Sequence, residues 1–163
     1  MPILRETITT DLDRDAAFAF VADFANAAIW DPGTATSERI DPGPVAVGAR
    51  YRLGVRMRGR VTPMEYRITD LDVPRRVVLA GVGSGVQATD SISFEPAGRG
   101  TRIEYVAEIH LTGWMRLLEP LAGGAFAAIG RAAREGMTRI LDERAGTRPG
   151  VAATPTGSAP DGA

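Results

Sequence analysis

Residues 114–145 read WMRLLEPLAGGAFAAIGRAAREGMTRILDERA. An advance of about 100° per residue gathers Leu117, Leu121, Ala125, Ala128 and Ala132 on one face and sets Arg116, Glu119, Arg131 and Arg134 opposite. The stretch predicts an amphipathic helix with one side against a core. Towards its end the apolar face drifts to Ala133, Met137 and Ile140, which predicts a curve or bend. Pro120 lacks an amide hydrogen and clashes with the preceding turn, so a kink or a fresh helix start belongs there. Gly123, Gly124, Ala125, Ala128 and Ala132 are small residues on or near the face assigned to the core. Either they let the backbone press closely on a sheet, or they border a space that receives a ligand.

What this helix packs against is written in the preceding residues. Ile3 to Thr10 is short, β-branched and partly alternating, a first strand. Asp11-Leu12-Asp13 offers a helix cap, and Asp15 suits the first turn. DAAFAFVADF follows as a short buried helix, and Asn26 is placed to cap a second short turn that Trp30-Asp31-Pro32-Gly33 ends. From Thr34 to Leu111 the period is two. Tyr51, Leu53, Val55 and Met57 alternate with arginines. Met64, Tyr66 and Ile68 alternate with Glu65, Arg67 and Thr69. Val77 to Ala80 is a continuous apolar run. Ala88, Asp90, Ile92 and Phe94 share one parity, as do Ile103, Tyr105, Ala107 and Ile109. The short turns between these runs favour antiparallel neighbours. The order is strand, two short helices, about six strands, long helix. Such a sheet must bury one face, and the final helix is its only large partner. The fold class is α+β, a curved antiparallel sheet wrapped around the C-terminal helix.

Composition narrows the function classes. The chain has 163 residues and a net charge of −1, one domain with a real core and no basic field for nucleic acid. All 19 basic residues are arginine, a coding bias without functional weight. Cysteine is absent, which excludes disulfides, thiolate metal sites and cysteine nucleophiles. His110 is the sole histidine, so no multi-histidine metal site exists. No cofactor or metal is expected. No run is apolar enough to span a membrane, and the acidic N-terminus carries no signal core, so a cytoplasmic location is expected. The composition leaves the oligomeric state open.

In these segments and their order, the chain resembles the SRPBCC superfamily, the START-like helix-grip fold, within it the polyketide cyclase/dehydrase and lipid-transport branch. The resemblance rests on FAFVADFANAAIWDPG, EYRITDLDVPRRVVLAG, DSISFEPAGRGTRIEYVAEI and the final helix. It covers residues 1–145; residues 146–163, rich in Gly, Ala, Pro and Thr, are expected to form a disordered tail. The resemblance implies an internal cavity between sheet and helix, and members that include cyclases, aromatases, carriers of hydrophobic ligands and regulators.

Strand parity then assigns the lining: Tyr51, Leu53, Val55, Met57, Met64, Tyr66, Ile68, Asp90, Ile92, Phe94, Tyr105, Ala107 and Ile109, with Leu121, Ala125 and Ala128 facing them from the helix. An apolar lining with few polar groups suits a polyketide-, lipid- or quinone-like molecule. Asp90 is the inward carboxyl, either a general acid or base or a strand-end Asp bonded to a backbone amide. Tyr66 and Tyr105 either orient a ligand through their hydroxyls or pack the core. Glu108 and His110 lie on the outer parity, where a solvated pair is the simpler account than an acid–base pair. Gly81 to Gly85 has neither the G-x-S-x-G nor the G-x-G-x-x-G spacing and reads as a hairpin. Trp30 and Trp114 either rim an opening or pack on adjoining elements. Binding of a hydrophobic molecule is the first expectation. A cyclase or dehydrase using Asp90 and a tyrosine for proton transfer is the alternative, marked by two titratable groups meeting inside the cavity. Removing residues from Gly146 onward is expected to leave the thermal midpoint unchanged; a fall of many degrees would show that the tail packs on the body.

Overall fold

The computed structural model describes residues 2–57 and 59–147. Seven strands form one curled antiparallel sheet: β1 (Ile3–Thr10), β2 (Thr34–Arg39), β3 (Arg50–Met57), β4 (Arg60–Asp72), β5 (Arg76–Gly83), β6 (Val86–Ala97) and β7 (Gly100–Leu111). Their order is β1-β7-β6-β5-β4-β3-β2. The last six strands run as a meander, and β1 closes the far edge beside β7. β1 and β2 are therefore opposite edges, so the 11–33 segment must cross the width of the sheet. It does so as α1 (Arg14–Val21), a 3-10 turn (Phe24–Asn26) and α2 (Ala27–Trp30).

Local chemistry explains these short elements. Asp13 caps α1, its carboxylate accepting from the Ala16 amide at 2.9 Å. Asp23 caps the 3-10 turn through the Ala25 amide. Asn26 makes no capping bond to α2, contrary to expectation; its side-chain amide instead donates to the Phe20 carbonyl at 2.9 Å. The strand parities agree with the sequence. Tyr51 and Leu53 are buried while Arg52 is exposed, and Ala88, Asp90, Ile92 and Phe94 are all buried.

The C-terminal stretch departs from its expected form. It is two elements: a 3-10 helix from Gly113 to Leu121 that contains Pro120, then α3 from Gly123 to Thr147. The α3 residues that meet the body are Phe126, Gly130, Ala133, Met137 and Leu141. Leu117 and Leu121 are 81% and 83% exposed, and Ala125 and Ala128 also face outward. The expected face is thus wrong by part of a turn. The break at Pro120 resets the helical phase, so a stripe extrapolated across it from Leu117 lands on the outer side. The drift towards Ala133 and Met137 was the true core face. The helix runs on to Thr147 and takes in the first two residues of the expected tail; residues 148–163 lie outside the described residues.

Close backbone approach does operate in α3, through other residues. A Cβ on Gly136 would collide with the Trp30 carbonyl oxygen and stand 2.9 Å from the Pro32 ring. A Cβ on Gly130 would lie 3.1 Å from a Glu6 carboxylate oxygen. These glycines let α3 press on α2 and β1, its main neighbours. The Arg134 guanidinium meets Glu6 at 3.3 Å, and the Thr10 hydroxyl donates to Asp142 at 2.8 Å.

Helix propensity alone makes Gly→Ala favourable by about 1 kcal/mol. Gly136→Ala is nevertheless expected to lower stability by about 1–3 kcal/mol, since the added methyl has no room. Ala128→Leu, on the outer face, is expected to stay within about 0.5 kcal/mol of the parent. Urea melts of the two variants check both signs.

Candidate functional site

One end of the concave sheet face is filled. Phe18 meets Phe94 edge-on at 5.2 Å, and Phe24 tilts over Tyr51 at 6.3 Å and Tyr66 at 5.4 Å. Under this cover Tyr51, Ile68, Ile92 and Phe94 are at most 1% exposed and belong to the solid core. None of these four lines the cavity between sheet and helix to which inward parity had assigned them. Parity fixes the face of a strand and not how far along it the covering helices reach.

At the other end a space of about 110 Å³ remains between the sheet, the residues from Trp30 to Thr34 and α3. The strands bring nine of the expected residues to it: Leu53, Val55, Met57, Met64, Tyr66, Asp90, Tyr105, Ala107 and Ile109. Phe24, Trp30, Asp31, Arg56, Phe126 and Ile129 are among the further residues of the wall, none of them in the expected lining. Leu121, Ala125 and Ala128 are absent from it, because the helical face that carries them points to solvent.

The polar groups converge. Asp90 is 3% exposed and stands on β6, opposite Ala107 of β7. Tyr105 lies two residues before Ala107, on the diagonal across which a long side chain reaches. Its hydroxyl donates to Asp90 Oδ1 at 2.7 Å. Tyr66 approaches Asp90 from β4, with β5 between them. Gly81 of β5 makes this possible: it pairs with Tyr66, and a Cβ there would sit 2.5 Å from the ring. The missing methyl lets the phenol lie across β5.

Asp31 is the second carboxyl. Its Oδ1 accepts from the Gly33 amide at 2.8 Å and its Oδ2 from the Thr34 hydroxyl at 2.7 Å. Arg56, exposed at the rim, donates to the Pro32 carbonyl at 3.0 Å. The Trp30 indole stands edge-on to Tyr105 at 6.3 Å, and its N–H is buried without a partner. Trp30 is thus wall and core at once, whereas Trp114 is 72% exposed.

Burial pushes the Asp90 carboxyl up to about 6; the Tyr105 hydrogen bond opposes this, the Asp31 charge adds to it, and Tyr66 opposes it again. Burial likewise raises Asp31 above the usual carboxylate range, against the bonds from Thr34 and Gly33 and the charge of Arg56. Both phenols are pushed well above their ordinary value, by burial first and then by the charge on Asp90, so they remain donors. Two titratable groups in hydrogen-bond contact inside the cavity are the mark set for acid–base chemistry. Glu108 and His110 take no part, lying away from the cavity wall. Among the described residues no group of three or more His, Cys, Asp or Glu side chains is placed to hold a metal ion. No helix is long and apolar enough to cross a membrane among them.

A curled seven-stranded sheet closed by a C-terminal helix over an internal cavity defines the START-like helix-grip class. The sequence profile of the family described as polyketide cyclase/dehydrase and lipid transport matches residues 1–143, and the chain belongs to that family. Solved structures repeat the fold at low identity. An aromatase/cyclase from a Streptomyces species superposes with a TM-score of 0.70 at 16% identity, over 90% of this chain and 94% of that one. A Thermus thermophilus protein gives 0.69 at 16%, over 86% and 97%. A START superfamily protein from Mycobacterium smegmatis gives 0.68 at 13%, over 88% and 97%. No curated protein matches the sequence.

The Asp90 value has a measurable consequence. The folded carboxyl holds its proton up to about 6, whereas the unfolded one releases it near 3.8. Stability from this group is therefore present below the unfolded value and lost as pH rises through the folded one. The gap corresponds to about 3 kcal/mol. Asp90→Asn keeps an acceptor for Tyr105 and does not ionise. Between about pH 4 and pH 8 the variant is expected to gain up to about 3 kcal/mol on the parent in urea melts. No gain would mean that Asp90 titrates as in the unfolded chain.

Proposed function

We propose that this protein takes up a ring-bearing hydrophobic molecule and moves a proton at it, Asp90 taking and returning the proton. The observation that carries this is the Asp90 carboxyl, bonded by the Tyr105 hydroxyl, in a cavity otherwise walled mainly by apolar and aromatic side chains. An ionised carboxylate with a value of about 6 is a usable base near neutrality, and the surrounding dryness leaves it poorly hydrated. Tyr105 fixes its orientation. Tyr66 keeps its proton and stands ready beside it as a donor to an oxygen that gains charge. The matching reaction class is proton abstraction beside a carbonyl, the elementary step in cyclising or dehydrating a poly-ketone.

Volume limits what enters. A cavity of about 150 Å³ accepts benzene, so 110 Å³ takes about one ring, with Met57 and Met64 able to yield. The rest of a longer molecule would lie at the mouth, beside Arg56 and Ile129. Reversible carriage without chemistry is the second reading, favoured by the apolar wall and by a family description that includes lipid transport.

Deuterium incorporation separates the two. In heavy water the protein is expected to speed exchange of the α-hydrogens of a ring ketone such as cyclohexanone, followed by NMR, with a rate that rises as pH passes about 6. Asp90→Asn is expected to lower that rate by about 10²–10⁴-fold while changing ketone affinity by no more than roughly tenfold. Ketone binding with no exchange above buffer would leave carriage and remove the acid–base role.

A further inference from the structure

Asp31 stood outside the expected lining, and the proton-transfer scheme does not use it. Yet it is the most firmly held polar group of the cavity. Each of its oxygens accepts a short hydrogen bond, one from the Gly33 amide at 2.8 Å and one from the Thr34 hydroxyl at 2.7 Å. Thr34 is itself 4% exposed, and Gly33 leaves no slack, since a Cβ there would lie 3.1 Å from Asp31 Oδ1. The carboxylate is clamped and cannot swing away from a bound molecule. It shares the cavity wall with Asp90. Three of the nearby donors are engaged, Gly33 and Thr34 by Asp31 and Tyr105 by Asp90; the Tyr66 hydroxyl and the Trp30 indole N–H remain, but both are neutral and leave the two negative charges uncancelled. Against these two carboxyls the wall sets one cation among the described residues, Arg56, which is exposed at the rim and bonded to the Pro32 carbonyl. The remaining surface is aliphatic, as at Leu53 and Met64, or aromatic, as at Phe24, Trp30 and Phe126, and offers no further positive charge; a ring face, where one is met, favours a cation over an anion.

We infer that Asp31 is a specificity-determining residue of this cavity: a fixed negative charge that admits neutral and cationic ring compounds and turns away ring carboxylates. This rests on the proposed uptake of a ring-bearing molecule and adds its charge class. A carboxylate brought against Asp31 and Asp90 meets like charge in a space with little water to screen it. A neutral alcohol or an ammonium meets acceptors.

The test uses three probes of one size, benzyl alcohol, benzylamine and benzoate, titrated calorimetrically into the full chain at about pH 8, above the titration range of Asp90. Benzyl alcohol and benzylamine are expected to bind, and benzoate at least roughly tenfold more weakly. Asp31→Asn keeps an acceptor for Gly33 and removes the charge. It is expected to narrow the gap between benzyl alcohol and benzoate by roughly tenfold while holding benzyl alcohol within about threefold. Arg56→Gln is expected to widen the gap; this variant and the parent alone decide the matter should Asp31→Asn fail to fold. Benzoate binding as tightly as benzyl alcohol to the parent, or a gap unmoved in a folded Asp31→Asn, overturns the inference and leaves the uptake of ring compounds standing. Failure of all three probes to bind overturns both.

Discussion

A curled seven-stranded sheet has a concave face wider than one helix can cover. That mismatch governs this molecule. β1 and β2 occupy opposite edges, so the chain between them must cross the face, and its short helices fill one end of the hollow. The terminal helix leans on β1 and α2 and leaves the other end free of side chains large enough to fill it. The cavity is therefore a remainder of the topology. Its shape follows from where two unrelated coverings stop, and the residues at their margins, Trp30 and Phe126, become its wall.

Into this remainder the sheet turns one strand-borne carboxyl and two phenols. Burying a carboxyl costs free energy unless its charge is answered. Here the answer is partial: Tyr105 donates at 2.7 Å and Tyr66 stands near, while Asp31 adds charge of the same sign. The chain thus carries a group that favours its protonated form more than the unfolded state does. A protein selected for stability alone would gain by replacing it with an amide. Groups held at such a cost are often found where chemistry is done, and that is the ground on which Asp90 enters the proposed proton transfer.

The fold was legible because it is written in local periods. Alternation set the faces of β3, β4, β6 and β7 correctly, from Tyr51 and Leu53 through Ala107, and the Trp30-Asp31-Pro32-Gly33 stop ended α2 where expected. The helix face failed for a physical reason: Pro120 breaks the phase, and alanines and glycines carry too little hydrophobicity to mark a side. The site was half legible. Asp90, Tyr66 and Tyr105 share inward parity with apolar neighbours and stand out for that. Their meeting is a matter of register, since Tyr105 reaches Asp90 only through the β6–β7 pairing and Tyr66 only across Gly81. Asp31 was hidden because Asp before Pro-Gly is ordinary turn chemistry, and nothing in four residues tells which wall a turn will join.

The two halves of the terminal segment are anchored very unequally. From Gly130 to Leu141 the helix is seated by glycine contacts, by Ala133, and by Met137 and Leu141, neither of them solvent-exposed. Between Gly113 and Ile129 only Phe126 is buried. Burial of one phenyl group is worth about 1.5–3 kcal/mol. Met115 and Ala122 add partly buried contacts with the core, yet the stretch remains far more lightly seated than the helix beyond Gly130, and the core under α1 does not depend on it. The wall that this stretch lends the cavity therefore rests on much less buried packing than the fold does, so a change at Phe126 would alter the cavity before it alters the cohesion of the domain.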